Sequence, residues 1–150
     1  MSPFKPVTNE QIKKMEEQGC TAGDWSNVQV ADGFDPARVR RVNFLGKVTV
    51  GTLKGSIAFE GGVNLPSELS NATIVDCQIG NEVRIHNVRG HIANYQIEDG
   101  ATVSDIGVAV TTAGASFGNG VELETANEGG GREVKNFDTI SSQFAYLLAM

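Results

Sequence analysis

The chain has 150 residues, with 12 Lys and Arg against 18 Asp and Glu and a formal net charge of −6. That length is a one-domain prior with room for a real core, and the ordinary shares of apolar and charged residues describe a soluble globular protein. No Lys/Arg stripe runs through it, which argues against a nucleic-acid or anionic-membrane partner; the small cluster Arg38, Arg40 and Arg41 reads as a solvated face. Eighteen glycines are well above the usual share of roughly 7 per cent and imply many tight turns. Two cysteines, Cys20 and Cys77, are too few and too far apart for a disulfide framework or a metal knuckle. Reduced thiols, and an N-terminus without a signal-peptide core, point to the cytoplasm, and no segment approaches about 18 consecutive apolar residues.

In chain order, "TNEQIKKMEEQ" (residues 8 to 18) predicts a short helix, capped by Thr8 with Gln11 in the capping-box position and ended by Gly19. Its apolar face is thin, Ile12 and Met15, which suits a cap on something larger. Alternation at Val28 and Val30 and again at Val42 and Phe44 predicts strands on either side of the turn residues Asp32, Gly33, Asp35 and Pro36, and Trp25 reads as a core anchor. Residues 1–44 are thus expected to form an N-terminal helix and capping segment.

From residue 45 the apolar residues keep a period of six. One frame is Leu45, Gly51, Ile57, Val63, Leu69 and Val75; a second is Ile79, Ile85, His91, Ile97 and Val103. Nine of these eleven are Leu, Ile or Val, where about two would fall so by chance. A third fragment, "FGNGVEL", sets Phe117 and Leu123 six apart. Helices repeat at about 3.6 and strands at 2, so sixes call for a parallel β-helix of hexapeptide repeats, with about 18 residues to a coil. Coils about 4.8 Å apart should stack Ile79 under Ile97 and Ile85 under Val103. The repeat region is expected over 45–126. The short step from Val75 to Ile79 predicts a bulge or a loop protruding from a corner, and 107–116 predicts a loop or irregular coil.

His91 breaks the second frame at an inward position. A buried unpaired imidazole costs about a kcal/mol or more, so a one-residue slip is expected, with Ile92 taking the inward place. Residues 127–150 are expected to be a glycine-rich exit, "NEGGGREV", and a C-terminal helix after Asp138 bearing Phe144, Leu147 and Leu148. That helix stops at Met150 without a terminator, so a fragment of a longer protein is expected.

The hexads "IGNEVR", "IEDGAT" and "FGNGVE" resemble the left-handed β-helix of the hexapeptide-repeat transferase superfamily over about residues 45 to 125. More closely, "GCTAGDWSNVQV", "NYQIEDG" and "NEGGGREV" resemble an uncharacterised bacterial domain-of-unknown-function family with such repeats, whose chains run well beyond this length. The resemblance implies an all-β-dominated fold, a left-handed coil, homotrimers, and acyl-CoA or sugar-nucleotide substrates. Handedness rests on it alone, because the usual crossover rule favours the opposite hand.

The two histidines, His86 and His91, form H-x4-H in "HNVRGH". In the transferases that the repeats resemble, a histidine is the general base toward an acceptor hydroxyl or amine, a role suited to its near-neutral pKa. Either residue fits that role, and both also read as wall residues. The β-helical carbonic anhydrases add a third histidine to such a pair to hold zinc; this chain has none, so no metal site is expected. Asn94 and Tyr95 are candidates for ligand contact, or else a turn asparagine and a wall aromatic. In "NEGGGREV", Arg132 is a candidate partner for a phosphate and Glu128 or Glu133 a candidate acid or base, although the stretch is not a P-loop. Two functions follow: a transferase-like enzyme with a histidine base, its small-molecule substrate bound between subunits, or a non-catalytic trimeric scaffold or assembly domain.

Overall fold

The computed structural model describes residues 4–115, 120–123, 134, 135, 137 and 141. They belong to two compact units, Met1–Thr111 and Thr112–Met150.

In the first unit, β1 (Lys5–Pro6) precedes helix α1 (Asn9–Glu17). The capping box forms as the sequence suggests: Thr8 Oγ1 accepts from the Gln11 amide at 3.3 Å and the Gln11 side chain accepts from the Thr8 amide at 2.9 Å. Met15 is buried and Ile12 packs beside it, while Gly19 follows the helix at φ 80°, a left-handed turn that favours glycine.

Short strands follow: β2 (Thr21–Ala22), β3 (Val28–Val30), β4 (Val39–Leu45), β5 (Val48–Val50), β6 (Ser56–Ala58), β7 (Asn64–Pro66), β8 (Glu68–Val75), β9 (Gln78–Ile79), β10 (Arg84–His86), β11 (Ile92–Ala93), β12 (Gln96–Ile97), β13 (Thr102–Ser104) and β14 (Ala109–Val110); β6 and β7 form an antiparallel hairpin and the others build parallel ladders. The first ladder is β3-β5-β9-β12, all parallel, with β1 antiparallel on its outer edge. The second stacks Val39, Leu69, Ile85 and Val103 in register. The third runs through β2, the later residues of β4 and β8, then β11 and β14. Strands β4 and β8 serve both of these ladders because each bends at one residue, Arg41 and Asn71, both at φ 51°. The result is a strand-dominated fold of parallel sheets whose chain visits the third, first and second ladders in rotation.

Inside the ladders lies one apolar cluster, including Val28, Phe44, Val48, Leu69, Ile74, Ile79 and Ile85. Alternation explains it: in β3 the valines are buried and Gln29 is exposed between them. Trp25 supports the cluster from its rim, half-buried, with its ring 6.1 Å from Phe44 and its indole N–H donated to Glu16 at 3.1 Å.

In the second frame the expected stacking partners pair. Ile79 pairs with Ile97 and Ile85 with Val103, each 18 residues apart. The slip at His91 also occurs: Ile92 is 2% exposed and pairs with Ile74, while His91 stays partly exposed.

The first frame needs correction. Phe44 and Ile74 point inward where Leu45 and Val75 were expected, and Ile57 and Val63 sit on the β6-β7 hairpin, Val63 being 51% exposed. The single-residue corner at Asn71 shortens the spacing from Leu69 to Ile74 to five, and the hairpin is an insertion that carries its own alternation. Parallel pairing also begins at Thr21, well before 45, since β2 pairs with β4 and β3 with β5. The longer turns between these early strands hide them from a search for sixes. Residues 109 and 110, in the stretch expected to be a loop or an irregular coil, form a rung on β11.

In the second unit, β15 (Glu122–Leu123) pairs antiparallel with β16 (Val134–Lys135), so Leu123 is not on a parallel rung. Phe117, residues 127–133 and the expected helix after Asp138 with Phe144, Leu147 and Leu148 lie outside the described residues. No helix among the described residues is long and apolar enough to cross a membrane.

Candidate functional site

The second ladder carries chemistry on its outward side. Because Leu69 and Ile85 face the core, their neighbours Glu68, Ser70, Arg84 and His86 face away from it, and the register sets Glu68 beside Arg84 and Ser70 beside His86. Arg84 Nη1 donates to Glu68 Oε1 at 2.8 Å and to the Pro66 carbonyl at 2.9 Å, and these two charged side chains are only 9% and 13% exposed. A pair so far out of water persists only when matched and hydrogen-bonded, as this one is.

Ser70 Oγ lies 2.9 Å from His86 Nδ1 and donates to Glu68 Oε1 at 3.4 Å. With the hydroxyl proton on Glu68, Nδ1–H donates to Oγ and the Nε2 lone pair is left for an incoming proton. Glu68 Oε1 is also 3.9 Å from Nδ1. The His86 side chain is 38% exposed, so the ring is anchored on one edge and open to solvent on the other.

A second carboxylate holds this site in place. Glu82 accepts from Ser67 Oγ at 2.6 Å, from the Lys54 amide at 3.1 Å, from the Gly55 amide and from Thr52 Oγ1 at 3.3 Å. Burial pushes its pKa up, but the donors from Ser67, Gly55, Lys54 and Thr52 outweigh burial and hold the carboxyl below its ordinary value. Glu82 thereby fastens both ends of the 51–67 excursion, whose last residues lead into Glu68.

The other candidates stand apart from His86. His91 precedes β11, and its carbonyl accepts from the Ala109 amide at 3.0 Å; no hydrogen bond or ion pair among the described residues links it to His86. Asn94, at φ 61°, is a corner bracket: its Nδ2 donates to the Thr111 carbonyl at 2.9 Å and its own carbonyl accepts from Thr111 Oγ1 at 2.7 Å. Tyr95 is half-buried against the core and shares an open depression with Asp76, Gln78, Asn94 and Gln96. Glu128 and Arg132 lie outside the described residues.

Both cysteines are free and buried. Burial, the largest influence on each, raises the Cys20 and Cys77 thiols above their ordinary value, so neither is a ready nucleophile. Among the described residues no group of three or more His, Cys, Asp or Glu is placed to hold a metal ion.

Sequence reasoning found His86 but not Ser70, Glu68 or Arg84. The offset between partners is 16 residues rather than 18, because the steps from Leu69 to Ile74, across the corner at Asn71, and from Ile74 to Ile79 are each one residue short of six. Polar residues on both sides of Leu69 and Ile85 were the available signal.

Comparison with known proteins agrees with the reading of a family without assigned function. An uncharacterized protein of Treponema pallidum (strain Nichols) is 27% identical over 157 residues, covering 97% of this chain and 22% of that protein. The chain therefore spans about a fifth of the length of that relative. No solved structure matches it. Residues 4–150 match the family described as Domain of unknown function (DUF4954), and the chain belongs to that family.

Proposed function

We propose that the three ladders are the faces of a left-handed β-helix of hexapeptide repeats, and that it carries a transferase-like site with His86 as general base. The observation that carries the reading is the Ser70–His86 contact of 2.9 Å with Glu68 behind it. An imidazole fixed through Nδ1 presents Nε2 at a constant angle. That nitrogen would take the proton from an acceptor hydroxyl or amine as it attacks the acyl carbonyl of a thioester, and would return it to the departing thiolate. Glu68 would stabilise the imidazolium between those steps. A sugar nucleotide is the other substrate class this site would serve. His91 is the lesser candidate, because no side chain among the described residues orients its ring. Packing of β-helix faces into a homotrimer would close the open side of the His86 site, and the two reduced thiols suit a cytoplasmic protein.

A second reading has its own support. The outward column Gln29, Thr49, Gln78 and Gln96 on the first ladder is in register and contains no titratable group, as a wall for assembly requires. The chain would then be a non-catalytic trimeric scaffold within a longer protein.

Acetyl-CoA titration and turnover with an added amine acceptor, alongside sedimentation, test both. We expect a trimer that binds acetyl-CoA saturably, with His86→Ala keeping binding and losing about 10²- to 10⁴-fold in thiol release. A trimer that binds neither acetyl-CoA nor a sugar nucleotide overturns the enzyme in favour of the scaffold.

A further inference from the structure

We propose that the groove on the outward side of the third ladder, between Arg41 and Arg89, binds a compact phosphoryl anion. The groove is lined by Thr21, Asn43, Thr73, Arg41, Arg89 and Gly90, among others, and among the described residues no carboxylate lines it. This is a local reversal of charge on a chain whose net charge is −6.

Its floor is built by the ladder. Thr21, Asn43 and Thr73 occupy successive rungs in register, outward of the buried Val42, Phe44, Ala72 and Ile74. Thr21 Oγ1 donates to Asn43 Oδ1 at 3.0 Å, which turns the Asn43 amide so that its NH₂ group is the part still able to donate. Arg41 stands at the corner, where its Nε donates to Asn71 Oδ1. That bond fixes the plane of the guanidinium, and no described residue accepts from its two Nη groups. On the far wall, Arg89 is exposed, its amide is tied to the Ile106 carbonyl at 3.0 Å, and its side chain makes no hydrogen bond or ion pair among the described residues. Gly90 keeps the rung close: a Cβ there would lie 2.6 Å from Val108 Cγ2 and 2.7 Å from the Gly107 carbonyl oxygen.

The groove therefore offers two guanidinium forks, an amide NH₂ and a hydroxyl. A tetrahedral phosphoryl group, acceptor-only and doubly charged, matches that set, and Arg forks recognise it bidentately. The groove occupies a few rungs between two arginines, which suits one or two phosphoryl groups and not a polyanion, whose binding needs an extended basic track. The proposal stands independently of the His86 reading, since the histidine lies on the second ladder.

Calorimetric titration of the full chain with inorganic phosphate, pyrophosphate and a phosphomonoester such as ribose 5-phosphate, at low ionic strength, tests it. We expect saturable one-site binding, weakened about tenfold or more in Arg89→Gln and in Arg41→Gln and abolished in the double variant. His86→Ala should bind as the native chain does. Tighter binding of the phosphomonoester than of phosphate identifies an organic ester as the ligand; equal binding identifies the free anion. Arg41 also supports the Asn71 corner, so a thermal melt accompanies its variant, and Arg89→Gln carries the test alone if that corner loosens. Absence of saturation, or affinity unchanged in Arg89→Gln, overturns the proposal.

Discussion

The outward columns of the first and second ladders share one backbone geometry and differ in everything chemical. On the first, Gln29, Gln78 and Gln96 are exposed amides on plain rungs. On the second, the equivalent positions hold the nearly buried Arg84–Glu68 pair and the His86–Ser70 contact. The difference arises between the rungs. After β5 the chain leaves the ladder, makes the β6-β7 hairpin and returns through Pro66, whose carbonyl accepts from Arg84, while Glu82 ties Lys54, Gly55 and Ser67 together. Regular rungs supply positions, and an excursion supplies the burial and the extra acceptors that make polar positions interact.

The largest effect should come from breaking the covered side. Arg84→Leu leaves Glu68 without its guanidinium partner in a nearly dry setting, and we expect a loss of about 3–5 kcal/mol in denaturant unfolding. A double variant, Arg84→Leu with Glu68→Leu, should recover much of it; if the single variant unfolds at the native midpoint, the pair is not the anchor of this face.

The pH dependence sharpens the comparison. Glu82 has a lowered folded-state pKa, so the folded chain holds fewer protons there than the unfolded chain as acid is added. Its contribution is complete above the unfolded carboxylate pKa of about 4.3 and is lost as pH falls through the lower folded value. Glu82→Gln should flatten that part of the acid-unfolding curve. An unchanged curve would mean that other carboxylates carry it.

The smallest effect should be on the bare side. Gln78→Ala removes an exposed amide from the first ladder and should change stability by no more than about 0.5 kcal/mol. A larger loss in a concentration-dependent melt would show that this column is covered in an assembly.

Much of this was legible in the residues. Helix α1 was written in Thr8 and Gln11, and the rungs at Ile79, Ile85, Ile97 and Val103 in their spacing, because inward positions on stacked coils must be apolar and recur at a fixed interval. The displacement of His91 by Ile92 followed from the cost of burying an unpaired imidazole. The early rungs were less legible, since turns of unequal length separate Thr21, Val28 and Val39 and erase the period while leaving the pairing intact.

What only the tertiary structure decided is which polar residues meet. Glu68, Ser70, Arg84 and His86, like Thr21, Asn43 and Thr73, lie 16 to 30 residues apart in successive partners. Their contact depends on the length of each intervening turn and on corners at Arg41 and Asn71. Burial of apolar residues repeats from rung to rung and leaves a periodic trace in the sequence. A hydrogen bond between outward neighbours forms once, and its partners are set by the register that the whole stack adopts.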